Sequence, residues 1–123
     1  MSIVTYNQCV RDYFSNPTHA GDFLDGVTSY INDQGIRIKL SAKVSDQTVI
    51  QLCFLAWGCP YTIAATEFFC KTYEGSDIQD LEQFEITSIM HELAVPIERT
   101  GRILVLEDAV HSLIAAINDR ESK

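Results

Sequence analysis

The chain is short of cations. Nine Lys and Arg stand against 17 Asp and Glu in 123 residues, a formal net charge of −8. That balance argues against an electrostatic grip on nucleic acid or on an anionic membrane surface. Long apolar runs are missing too, and none approaches the roughly 20 residues that a bilayer-spanning helix needs. The opening residues, MSIVTYNQCVRDYF, hold no basic segment followed by an apolar run. No secretory leader is therefore expected, and the protein is expected in the cytoplasm. The four cysteines, Cys9, Cys53, Cys59 and Cys70, include no CxxC pair and are expected as reduced thiols. Gly58 and Gly101 are isolated, which excludes a glycine-rich loop that cradles phosphate. No nucleophile–base signature is present, so the protein is not expected to be an enzyme. There is no repeat, low-complexity stretch or linker, and residues 1–123 read as a single domain.

What is present centres on Ile50–Phe69, IQLCFLAWGCPYTIAATEFF. Its first half is bulky and apolar, as in a buried strand. Its second half has helical spacing, with Ile63, Ala64, Phe68 and Tyr73 apolar. Between them, Gly58 frees the backbone for a turn and Pro60 suits the first helical position. Cys59 is then predicted at or beside the N-cap. Unpaired backbone N–H groups and the positive end of the dipole favour a thiolate there. A small turn residue filling a gap is the plainer reading of Cys59.

The remaining elements follow from spacing. Ile3, Tyr6, Val10, Tyr13 and Phe14 predict a helix over Thr5–Phe14, stopped at Ser15-Asn16-Pro17. Asn16–Gly26 reads as a loop, with Phe23 and Leu24 tacked onto the core. Val27–Ile31 predicts a strand, and Asn32-Asp33-Gln34-Gly35 a tight turn. Ile36–Val44 alternates strictly and predicts a strand with one wet face. After a turn at Ser45-Asp46-Gln47, Val49–Trp57 is the third strand. Helices are predicted to Tyr73, over Ile78–Leu81, over Ile86–Leu93 and from Ile103 to Ile117. The fold class is α+β: a three-stranded antiparallel sheet covered by an N-terminal helix and several C-terminal helices.

Other chemistry-bearing residues have bland readings. His19 reads as a solvated loop residue, and His91 and His111 as helix-surface residues without an i, i+4 ligand partner. Glu74, Asp77, Asp80, Glu82 and Glu85 read as a solvated acidic face. Cys59 and Cys70 lie ~16 Å apart along one helix, too far to share an ion or a disulfide.

In order and spacing these pieces resemble the NifU N-terminal/IscU-type scaffold family of iron–sulfur cluster assembly, with its SufE/NifU-like fold. Tyr6–Pro17 with Gly21 and Phe23 resembles the family's opening helix and Asn-Pro turn. Phe54-Leu55-Ala56-Trp57-Gly58-Cys59, followed by Ile63-Ala64-Ala65, resembles its strand, cysteine turn and small-residue helix. Leu106-Glu107-Asp108-Ala109 within Ile103–Ile117 resembles its last helix. The resemblance implies three converging cysteines, helped by a histidine or aspartate, that hold a [2Fe–2S] cluster, iron or zinc. It also implies a cysteine desulfurase or other assembly proteins as partners. Only Cys59 matches a ligand cysteine. Gln34 stands where the first cysteine would be, and Ile36 replaces the aspartate. Thr100-Gly101-Arg102 supplies neither cysteine nor histidine. Val95-Pro96-Ile97-Glu98 lacks the second proline and the lysine of the stretch that recruits an Hsp70-type chaperone.

Two roles follow. In the first, the chain is an assembly scaffold that handles iron or sulfur through the single thiol of Cys59. In the second, it binds no cluster and serves as an interaction module for a desulfurase or another assembly partner. A thiol enzyme using Cys59 is a third, for which no base is visible. Oligomeric state is not legible.

Overall fold

The computed structural model describes residues 8–22, 26–33 and 35–121. Of the predicted Thr5–Phe14 helix, residues 5–7 lie outside the described residues and the rest is α1 (Gln8–Ser15). The strands are β1 (Val27–Asp33), β2 (Ile36–Ser45) and β3 (Thr48–Trp57), in the antiparallel order β1-β2-β3. Then come α2 (Pro60–Tyr73), α3 (Ile78–Glu82), α4 (Ile86–Glu92), a single 3₁₀ turn (Ile97–Arg99) and α5 (Thr100–Glu121). Phe23 and Leu24, expected on the core, lie outside the described residues, as does Gln34.

The turn between β2 and β3 is one that its residues support. Asp46 and Gln47 both adopt left-handed φ, 52° and 66°, making a two-residue hairpin loop of the kind whose twist matches the flanking strands. The register pairs Leu40 with Phe54 and Arg37 with Trp57, and one irregularity falls between Lys43 and Val44. Ile36, Ile38, Leu40 and Ala42 of β2 face the helices and are buried. The strict alternation predicted for β2 fails at Ser41, which is only 1% exposed although it points away from the helices. Asp22 explains this. Its carboxylate accepts from Ser41 Oγ at 3.0 Å and from Lys39 Nζ at 2.6 Å, so it covers part of the supposedly wet face.

Helices α5 and α2 form the opposing layer. Leu106, Ala109, Val110, Leu113 and Ile117 of α5 are fully buried, and Ser29 Oγ of β1 donates to the Ala109 carbonyl at 3.0 Å. In α2, Ala64, Ala65 and Phe69 are fully buried, while Phe68 meets Tyr13 of α1 edge to face at 5.8 Å. Phe69, Tyr73 and Phe84 stack into a second aromatic group. Helix α5 starts three residues before the predicted Ile103, so Thr100-Gly101-Arg102 is its first turn rather than a preceding loop. The 3₁₀ turn leads straight into it, which spacing alone does not show.

β3 stands at one side of the sheet, yet its outer edge is closed. The Phe54 N–H donates to the His19 carbonyl at 3.0 Å, and the Gly21 N–H donates to the Phe54 carbonyl at 2.8 Å. Further along, Val49 N–H donates to Ser76 and Gly75 N–H to Val49. The segment Pro17–Asp22 is thus a strap laid along β3, bridged in parallel through Ala20 and Phe54. Among the described residues no helix is long and apolar enough to cross a membrane.

Candidate functional site

Two polar centres flank α2, one at its N-cap and one running from its middle to its C-cap. The first is Cys59. It is the N-cap, with extended backbone (φ −79°, ψ 165°) and Pro60 beginning the helix. The Cys59 carbonyl accepts from Thr62 N–H at 3.0 Å and Ile63 N–H at 3.2 Å. Its half-buried sulfur lies 3.5 Å from Thr62 Oγ1, and either atom can donate. Burial acts to raise the thiol pKa. The Thr62 hydroxyl, the backbone N–H groups of Thr62 and Tyr61, and the Arg99 charge outweigh it, and the thiol titrates below its ordinary value. The backbone amides face the sulfur without completing a capping bond.

Gly58 is required here for space. Its φ is not left-handed, so the turn does not depend on glycine's conformational freedom. A Cβ at Gly58 would come within 2.8 Å of Ile36 Cδ1 and 3.3 Å of Thr62 Cβ. Ile36, at the end of the β1–β2 turn, therefore packs beneath the cysteine turn, and it is buried. Arg99 brings the entrance of α5 to the same end. The topology thus gathers three chain segments around Cys59. Among the described residues, the side chains they bring there are Ile36, Arg99 and Thr62.

The other cysteines lie elsewhere. Cys9 is half-buried on α1, Cys53 is buried in β3 and Cys70 is fully buried in α2. Burial pushes the thiols of Cys53 and Cys70 up, the latter strongly. Among the described residues, no three of His, Cys, Asp and Glu are grouped so as to hold a metal ion. A [2Fe–2S] cluster takes four protein ligands, so the described donor set around Cys59 does not fit one within a single chain.

The second centre was hidden in the sequence. His19, read as a solvated loop residue, is clamped between two carboxylates. Its Nδ1 lies 2.6 Å from Glu67 Oε2 and its Nε2 lies 3.1 Å from Glu74 Oε1. Glu67 is 1% exposed. It also accepts from His19 backbone N–H at 2.7 Å and from Thr18 Oγ1 at 3.2 Å. Glu74, read as part of a solvated face, also accepts the Leu52 N–H of β3 at 2.9 Å. Burial acts to lower the His19 pKa, but its hydrogen bonds and ion pairs with Glu67 and Glu74 prevail and leave it raised. The signal for this centre was Glu67 itself, a charge inside the apolar run Ile63–Phe69. His91 and His111 are exposed on α4 and α5, as expected.

A three-stranded antiparallel sheet backed by helices, with a cysteine at the N-cap position of the helix after its last strand, places the chain among small α+β proteins. The chain belongs to the NifU-like N-terminal domain family, whose model matches residues 5–123. It is 30% identical over 127 residues to the iron–sulfur cluster assembly scaffold protein IscU of Buchnera aphidicola subsp. Schizaphis graminum, covering 98% of this chain and 97% of that one. It is 26% identical over 133 residues to IscU of Escherichia coli K12, covering 98% and 97%. The crystal structure of a NifU-like N-terminal protein from Brucella abortus superposes with a TM-score of 0.76 at 12% identity, covering 95% and 94%.

Proposed function

We infer that this chain is an iron–sulfur cluster assembly scaffold-type protein that works through the one thiol of Cys59. The observation that carries this is the end-to-end match to scaffold relatives, with Cys59 at the cap of α2 and its thiol shifted toward the thiolate. Sulfur transfer is the chemistry that a single thiolate supports. The Cys59 thiolate attacks the terminal sulfur of a donor cysteine persulfide, such as one formed on a desulfurase. The donor S–S bond breaks, and its electron pair leaves with the donor's cysteine thiolate. Cys59 then carries the new S–S bond, with no external oxidant or reductant. Holding a complete cluster would need donors beyond the described ones, from a second chain or a partner. Reduced thiols and a cytoplasmic location are part of this reading.

The side chains at the Cys59 end favour a second reading, because Ile36 and Arg99 supply no ligand there. In it the chain docks on an assembly partner and carries no cargo. Anaerobic reconstitution with iron, sulfide and a cysteine desulfurase separates the two. Iron and acid-labile sulfide retained by the wild type and lost in Cys59→Ser support the scaffold role. Desulfurase capture that survives in Cys59→Ser, with no cargo in either protein, supports docking alone.

A further inference from the structure

The His19 centre runs from the middle of α2 to its C-cap, away from Cys59, and the proposed function does not use it. A histidine whose two ring nitrogens both face carboxylates can donate to both only as imidazolium. In the neutral form the Thr18 hydroxyl, 3.2 Å from Nδ1, can turn its proton to that nitrogen, but Glu67 Oε2 at 2.6 Å still faces the same lone pair. As imidazolium it donates from Nδ1 to Glu67 and from Nε2 to Glu74, 2.6 and 3.1 Å away. As neutral imidazole it keeps one N–H, and the lone pair of its other nitrogen is turned on a carboxylate. Glu67 cannot retreat, because it is buried in α2 and already holds the Thr18 hydroxyl and the His19 amide.

What His19 holds in place is the strap. Its own carbonyl takes the Phe54 N–H, and two residues later the Gly21 N–H returns to the Phe54 carbonyl. Among the described residues the imidazole ties the backbone that closes this part of the β3 edge to both Glu67 and Glu74, beside the Thr18 hydroxyl on Glu67 and ahead of Asp22 on Lys39 and Ser41. An uncovered strand edge is a template for pairing with another strand. Solvent protons reach the ring, because His19 lines two open clefts of about 580 and 330 Å³.

We propose that His19 is a proton-operated latch: protonated, it fastens the Pro17–Asp22 strap over the outer edge of β3, and deprotonated, it lets the strap open. Several titratable or charged groups face the ring or line its clefts. From α2 and its cap they are Glu67, Lys71 and Glu74, from α1 Asp12 and Tyr13, and from β3 Cys53. The two carboxylates in direct contact set the sign. The raised His19 pKa agrees with it. Since the folded value lies above the unfolded one, the latch is fully engaged below the unfolded pKa. It is released as pH rises through the folded value.

The test is NMR on the full chain from about pH 6 to about pH 9, a range spanning ordinary histidine titration. It follows the His19 ring shifts together with hydrogen-exchange protection of the Phe54 and Gly21 amides, corrected for the intrinsic pH dependence of exchange. The expected result is a His19 midpoint above 6.5, the ordinary value, with protection of both amides falling several-fold through the same midpoint. In His19→Gln the protection no longer depends on pH over this range. Glu74→Gln keeps the buried Glu67 contacts and serves if His19→Gln does not fold; it lowers the midpoint. A His19 midpoint at or below 6.5, or strap protection that does not change with pH in the wild type, overturns the latch.

Discussion

The two ends of α2 present opposite solutions to placing a reactive group. At the N-terminus a thiol stands half-buried, supported by a hydroxyl, backbone amides and an arginine, with no partner that consumes its reactivity. Roughly 12 Å (Glu67) and roughly 22 Å (Glu74) further along the helix axis, at about 1.5 Å per residue, two carboxylates hold one histidine between them. The difference separates chemistry from structure. A group kept for reaction is polarised and left open, whereas a group kept for stability is buried and saturated. By that criterion Cys59 is the working residue, and Glu67 is a structural one despite being the more unusual sight inside a core.

The sharpest way to break this comparison is Glu67→Ala. It takes away the buried partner of His19, leaving Glu74 on Nε2, and removes the acceptor of Thr18 and of the His19 amide. Breaking a buried ion pair from one side costs about 3–5 kcal/mol. Urea unfolding should show a loss of that order, and a loss below about 1 kcal/mol, the scale of exposed pairs, would mean that the cluster is not structural. Cys59→Ser should behave in the opposite way, with little change in stability. It should abolish the fastest thiol labelling, because Cys59 is predicted to react with iodoacetamide ~100-fold faster than buried, up-shifted Cys70. Comparable rates at both sites would remove the distinction between the two ends.

Gly58→Ala sharpens the account of the Cys59 turn. Its Cβ would press on Ile36 Cδ1, costing roughly 1–3 kcal/mol as overpacking does. Ile36→Val, by removing that methyl, should recover part of the loss in a thermal melt. The smallest effect belongs to His91→Ala and His111→Ala, both on exposed helix faces. Each should stay within about 0.5 kcal/mol of wild type. A larger loss would reveal a third polar centre.

The Cys59 end was legible because its signals are contiguous. A strand-like run, Gly58, Cys59, Pro60 and a helical run follow one another, and α2 ends where Glu74-Gly75 interrupt the spacing. The His19 centre was not, because its partners stand 48 and 55 residues away. No local pattern pairs a loop histidine with a helical glutamate; Glu74 is exposed, as expected, yet reaches His19 from the cap of α2. The same reason hid the cover over Ser41, which comes from Asp22 across the sheet. The three strands and α1 to α5 followed from spacing and turn residues, whereas the 3₁₀ turn Ile97–Arg99 did not. The N-terminal end of α5 was placed at Ile103, its first apolar residue, while the structure carries the helix back through Gly101 to Thr100.

The account turns on Cys59 as the acceptor of sulfur. The most direct measurement is peptide mass spectrometry after anaerobic incubation with a cysteine desulfurase and free cysteine, on the wild type and on Cys59→Ser. The account predicts one added sulfur on the peptide containing Cys59, none on those containing Cys9, Cys53 or Cys70, and none anywhere in the variant. Sulfur loaded equally onto the variant, or an unmodified Cys59 in the wild type while the desulfurase turns over, would contradict it.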